Sequence, residues 1–306
     1  MARYIVYRIG LAVPLFLGAA LLIFLAGHLA PGDPVETMLG DRYNPSTASV
    51  LRHQLGLDRP LAVQFGSYVA GVSRLDFGTS FVNPSLRVTD LVAHALPISL
   101  RLAALAVLVA GVLGIGLGMA AATARWKPLD NAIQVGVVLG LSVPSFVSAA
   151  VLVYLLALRW PLLPVAGWGL PENYVLPVAV LSIAPLAIIA RIARSSVGQT
   201  LLEDYVRTAH GKGLPERSVL LRHVLRNASL PVVTTIGLAF GNAIVGAFVV
   251  EILFNIPGIA RVAVNAILQR DYTVLQAAVL VYTGLFSVVN LAVDVSYAYL
   301  NPRIRY

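Results

Sequence analysis

The sequence predicts an all-α integral membrane protein with six spanning helices and a small extracytoplasmic element between the first two. Three observations carry this. Of 306 residues, 58% are hydrophobic and 12% charged, whereas soluble domains are about 25% charged, and the mean hydropathy is +0.83. Apolar stretches close to the ~20 residues that cross a bilayer fall at 9–30, 96–123, 131–158, 174–193, 228–254 and 273–299. The net charge of +8 lies in short connections between these stretches. Nucleic-acid binding would need it as a patch on a soluble domain, so lipid is the expected medium and nucleic acid is not a partner.

Residues 1–8 form a short basic N-terminus and 9–30 the first span. No charge occurs from Ile9 to Ala30. A cleaved signal would have an apolar region of about 7–15 residues and a small-residue cleavage site. This run is longer and PGDP follows it, so the first span is expected to be retained. Orientation follows the Lys/Arg bias of short loops. With both termini cytoplasmic, Arg3, Arg8, Arg125, Lys127, Arg303, Arg305 and seven basic residues between 191 and 227 lie inside.

Residues 31–95 are too long for a plain connector. Their Arg and Asp/Glu charges nearly cancel, and GDP, LGLDRP and LDFGTSF carry turn punctuation. A small folded extracytoplasmic element is expected there, with helices near 46–56 and 60–74. Residues 96–306 form the membrane core, interrupted by a cytoplasmic polar segment at 194–227. Gly114/Gly118, Gly136/Gly140 and Gly237/Gly241 have the GxxxG spacing that lets membrane helices approach closely.

Chemistry is sparse. Cysteine is absent, which removes disulfides and thiolate sites. A phosphate-binding loop needs GxxxxGK[ST]. Only Lys127 and Lys212 could serve; Gly213 follows Lys212, and Val206 stands where the first glycine is required. ATP, if used, is therefore hydrolysed on another chain. No GxSxG or HExxH occurs and no metal-ligand cluster is visible, so catalysis is not expected here. Among ionisable residues near the spans, Glu251 and Asp294 are candidates for a translocation path. Interfacial placement is the plainer explanation for Glu251, and a helix-packing contact or inner-interface site the plainer one for Asp294.

The segment DYVRTAHGKGLPERSVLLRHVLRN (204–227) needs more than charge bias to explain it. Glu203 and Asp204 suit a helix N-terminus. Gly211 and Gly213 are expected to break that helix, and Pro215 suits the first turn of a second one. On a wheel of 3.6-residue turns, Leu220, Leu221, Val224 and Leu225 share one face and Arg222, His223 and Arg226 the other. Helix, glycine turn and amphipathic helix together suggest a docking surface for a cytoplasmic protein.

This arrangement resembles the EAA loop of the permease subunits of ABC importers. Arg207-Thr208-Ala209 stands at the EAA position and Gly213 follows after three residues, while Pro231 comes later than in the general pattern. These departures match the peptide-importer branch, although His210-Gly211 replaces its usual Arg-Ala. LAPGDP (29–34), LGLDRP (55–60), LDFGTSF (75–81), SVPSF (142–146), FNIPGIARV (254–262), RDYTVLQAAVL (270–280) and the terminal NPRIRY extend the likeness over almost the whole chain. The chain resembles the B-type permease of the dipeptide/oligopeptide family, which also includes nickel and glutathione importers.

The resemblance implies a type I importer permease fold that moves peptides across the cytoplasmic membrane, with nickel, glutathione or another small solute as alternatives. An ion-coupled carrier is a distant second class and a membrane scaffold without transport a third. It implies a second, homologous permease that pairs with this chain as a heterodimer, two cytoplasmic ATP-binding subunits that hold ATP and Mg, and an extracytoplasmic solute-binding protein facing 31–95. No cofactor is expected on this chain itself. The residues implied to meet the ATPase are Asp204, Arg207, Thr208, Ala209, Lys212, Gly213, Leu214, Pro215, Glu216 and Arg217.

Overall fold

The computed structural model describes residues 2–29, 33–40 and 43–300. Helices occur in the order α1 (Ala2–Leu29), α2 (Pro34–Leu39), α3 (Pro45–Gln54), α4 (Leu61–Ser73), α5 (Val88–Thr123), α6 (Lys127–Ser142), α7 (Ser145–Val153), α8 (Glu172–Leu201), α9 (Asp204–Gly211), α10 (Glu216–Ser218), α11 (Leu225–Leu253), α12 (Ile259–Gln269) and α13 (Tyr272–Leu300). Two π-helical turns, Tyr154–Arg159 and Val219–Val224, continue α7 and join α10 to α11. Among the described residues there is no β-strand beyond one isolated bridge, Thr79 with Arg87. Five helices are long and apolar enough to cross a membrane, and a sixth span results if α6 and α7 are one bent unit. The motifs LAPGDP and NPRIRY fall partly and wholly outside the described residues.

The expected third span, 131–158, is not one straight helix. Its halves meet at 107°. Pro144 has no N–H to continue the helix and forces the residue before it out of the α region. Val143 accordingly sits at φ −87°, ψ 120°. The helix restarts at once, because the Pro144 carbonyl accepts from the N–H groups of Val147 and Ser148.

Contacts divide the chain into two compact units. The first comprises Met1–Ser99 and Pro257–Val288. Here α5 begins at Val88 rather than 96, because its first turns pack on protein. Val88 and Val92 bury against Ala266, Val274 and Ala277, and Ala95 buries against Ile259, Ala263 and Ala278. The amphipathic helix α12, which hydropathy alone did not suggest, supplies this apolar face. The Ser99 hydroxyl caps it by accepting from Ile259 N–H at 3.0 Å.

Asp271 closes this unit. It is buried, accepts from the Ser80 hydroxyl and from Phe81 N–H at 3.3 Å, and caps α13 through Val274 N–H at 3.2 Å. The motifs LDFGTSF and RDYTVLQAAVL are thereby joined. Replacing Asp271 by alanine leaves three donors without an acceptor, a loss of about 2–4 kcal/mol for a buried charge-assisted cluster. The expected result is faster proteolysis of residues 75–87 in intact vesicles; cleavage at the unaltered rate would contradict this role.

The second unit comprises Leu100–Ile256 and Val289–Tyr306. Helix α8 is central, packed on α6, α7 and α11. Ala110 of α5, Ile189 and Ala193 of α8, and Val232 and Ala239 of α11 form one buried cluster. Gly114 and Gly118 lie against α8; a Cβ on Gly118 would stand 2.6 Å from the Ala190 carbonyl. Gly140 faces Ile183 and Ala187, and Gly237 faces Val293, whereas nothing approaches Gly136. Arg194 holds Asp130 through Nε and Nη2 at 2.6 and 2.5 Å, clamping the start of α6 to α8 with a bidentate pair.

Candidate functional site

The polar segment folds differently from a simple loop. Helix α8 continues to Leu201, because Ala193, Val197 and Thr200 prolong its buried stripe. Only a short connection precedes α9. From Glu216 onward the chain is one helical run to Leu253, so the expected second amphipathic helix is the beginning of the fifth spanning helix.

Helix α9 is held by its apolar face. Val206 and Ala209 are buried with Val197, Val219, Val224 and Ala228. The other face is polar. Asp204 and Arg207 form an exposed i,i+3 pair at 3.7 Å, worth little in water. The Thr208 hydroxyl donates to the Asp204 carbonyl at 2.9 Å. Ala209 of the expected contact set therefore faces inward, while Asp204, Arg207 and Thr208 face solvent.

Gly213 ends the helix by itself. Gly211 is its last helical residue rather than part of the break. Lys212 is the C-cap, and Gly213 has φ +74°. Gly213 N–H donates to the His210 carbonyl at 2.9 Å and Leu214 N–H to the Ala209 carbonyl at 3.4 Å. This is the Schellman arrangement, which requires a left-handed residue at that position. His210-Gly211 does not loosen α9; the His210 imidazole Nδ1 lies 3.1 Å from the Val206 carbonyl.

Pro215 sits one position earlier than expected. It is the N-cap residue, extended at ψ 142°, and its carbonyl accepts from Ser218 and Val219 N–H. Glu216 reaches Arg125 at 3.6 Å, and Arg217 is exposed. Leu202, Tyr205, Leu214 and Leu221 are exposed around this charged surface. The wheel expectation fails for Leu221: the buried positions are Val219 and Val224. Sequence reasoning also missed Tyr205 and Asn227, whose side chains bond at 2.8 Å. Both lie within the segment 204–227, where the wheel considered neither of them.

The two candidate path residues fare differently. Glu251 is fully buried in α11. The side chain of Asp294 lies outside the described residues. Among the described residues no group of three His, Asp or Glu side chains could hold a metal ion.

The first unit carries a cavity of about 590 Å³ lined by Phe24, His28, Arg52, Arg59, Tyr68 and Gln276, among others. Phe24 meets Phe65 edge-on at 5.4 Å. Gln64 Nε2 donates to the Leu57 and Arg59 carbonyls, which leaves its Oε1 to face His28 Nε2 at 3.0 Å. Burial pushes the Tyr68 hydroxyl up to about 12. Burial opposes the charge of Asp33, but hydrogen bonds from Arg52 and Val35 N–H outweigh it and hold that carboxyl below its ordinary value.

Residues 114–306 match the family described as binding-protein-dependent transport system inner membrane component, and residues 1–103 match its N-terminal membrane-component companion. The glutathione transport system permease protein GsiC of Salmonella typhi is 40% identical over 306 residues, covering 100% of both chains. The dipeptide transport system permease protein DppB is 36% identical in Bacillus subtilis and 37% in Escherichia coli, in each case over 100% of this chain and 98% and 99% of the relative. A crystal structure of an amino acid ABC transporter with histidines shares the fold, with TM-score 0.55 and 16% identity over 69% of this chain and 94% of that one. With the spanning helices and the capped polar helix in place, these matches establish that the chain belongs to the binding-protein-dependent transport system inner membrane components, the permeases of ABC importers.

Proposed function

We propose that this permease moves short peptides inward across the cytoplasmic membrane, driven by ATP that binds with Mg to two separate cytoplasmic subunits. Its path is completed by a second, homologous permease, different from this chain. Both termini lie in the cytoplasm, as the Lys/Arg bias of short loops favours. The element formed by α2, α3 and α4, with its cavity, then faces a solute-binding protein outside.

The observation that carries the coupling role is α9. Its apolar face is buried in the permease, and its polar face, with Asp204, Arg207, Thr208 and Lys212, is exposed beside Leu214, Glu216 and Arg217. A rigid, capped helix with one face anchored and one free suits a contact that receives motion from another protein. The dipeptide permeases among the relatives support peptide as solute. The glutathione permease, at 40% identity, supports a second reading. Glutathione is itself a tripeptide, so both readings share one chemical class.

The test is reconstitution of the complete importer in liposomes. An Arg207→Cys variant is expected to cross-link to the ATPase, and labelled dipeptide or glutathione is expected to enter only with ATP and binding protein. Absence of the cross-link would refute the contact. Equal uptake without ATP would refute the energy source.

A further inference from the structure

The seat of α9 depends on an irregularity in the fifth spanning helix. Val219 and Val224 are both buried in the cluster that holds Val206 and Ala209. Five residues along an α-helix are about 140° apart around its axis, so both could not face α9 in a regular helix. The π-helical turn Val219–Val224 removes the conflict. Its bonds reach five residues back, as in Leu225 N–H to the Leu220 carbonyl, and this wider turn brings residues five apart closer to one side of the helix. Beyond Val224 ordinary spacing resumes, which brings Asn227 and Ala228 to the same side. Ala228 is buried in the cluster. Asn227 Nδ2 donates to the Tyr205 hydroxyl at 2.8 Å and to the His223 carbonyl at 3.1 Å.

Helix α9 is therefore gripped in two ways: by an apolar seat under Val206 and Ala209, and by one exposed hydrogen bond that the Tyr205 hydroxyl accepts from Asn227 Nδ2. The seat is apolar packing, which is non-directional. The hydrogen bond is directional and fixes rotation about the seat. We propose that Tyr205 and Asn227 are positioning residues, a strap that sets the orientation of α9 on the fifth spanning helix and so the fraction of ATPase motion that reaches the membrane. This rests on the reading of α9 as the ATPase contact.

The test uses the complete importer in liposomes, with ATP turnover and labelled dipeptide uptake measured together for Tyr205→Phe, Asn227→Ala and the double variant. Loss of one hydrogen bond corresponds to roughly a fivefold effect. Uptake per ATP is expected to fall about that much in each single variant and no further in the double, with ATP turnover and melting temperature unchanged. Asn227→Asp, which can accept from the Tyr205 hydroxyl, is expected to restore most of the ratio. An unchanged ratio in both single variants would overturn the strap, as would additive losses in the double. A parallel fall of uptake, turnover and melting temperature would reduce it to a structural contact and overturn it too. The Arg207→Cys cross-link separates the two readings. If it forms while the ratio is unaltered, only the strap fails; if it does not form, the coupling role of α9 fails as well.

Discussion

Valine in place of Gly118 is expected to destabilise the folded permease severely. The position has no room on its α8 side. A Cβ would lie 2.6 Å from the Ala190 carbonyl, 2.6 Å from Ala193 Cβ and 2.9 Å from Arg194 N. Two of these are backbone atoms, which cannot rotate away. Helices α5 and α8 would have to separate, opening the cluster around Ala110, Ile189 and Ala193. Overpacking typically costs about 1–3 kcal/mol; a clash against backbone belongs at or above the top of that range. Thermal unfolding in detergent should show a drop of about 6–12 °C or no folded peak, at roughly 2–4 °C per kcal/mol. Gly118→Ala should be intermediate. Gly116→Val is the control, since nothing lies within 4 Å of that Cβ. Equal melting of Gly118→Val and Gly116→Val would show that the close approach is not needed.

Gly213→Arg is expected to abolish uptake while leaving the membrane core folded. Gly213 has φ +74° and nothing within 4 Å of its would-be Cβ, so the penalty is conformational rather than steric. An L-residue in the left-handed region costs about 1–2 kcal/mol, charged here to the Schellman turn that ends α9. Arginine further adds bulk on the face proposed to meet the ATPase. Uptake should fall at least about tenfold, the effect of ~1.4 kcal/mol at that contact, with melting of the core little changed. Gly213→Asn should be milder, because asparagine tolerates the left-handed conformation. Unchanged uptake and coupled ATP turnover in Gly213→Arg would count heavily against a coupling role for this turn.

How much was legible in the sequence varies by element. Apolar runs long enough to cross a bilayer are visible in composition, because each spanning helix must satisfy its own backbone in lipid. The short helices α3 and α4 were legible in outline from the turn punctuation of LGLDRP and LDFGTSF around them, whereas the Asn44 cap and Pro45 that start α3 were local signals left unread. Helix α12 was not, because it is short and only its packing on α5 and α13 distinguishes it from a connector. The bend at Pro144 was available in principle, since proline and its predecessor carry the signal locally. Polar segment 204–227 was legible as two helical parts around a glycine, but not in its register. A wheel assumes 100° per residue, and the π turn breaks that assumption.

By itself, then, the sequence determined the membrane class, the positions of the apolar runs, the glycine-ended polar helix and the kinship to importer permeases. These depend on local composition, backbone conformation or motif order, which neighbours in sequence carry. Tertiary structure alone decided that Gly118 rather than Gly136 is a close approach, that Asp271 gathers the 75–81 turn, that Glu251 is sealed in the interior, and that Val219 replaces Leu221 against α9. Each of these is a contact between residues far apart in the chain, or a backbone register chosen to make one, and no local pattern contains that information.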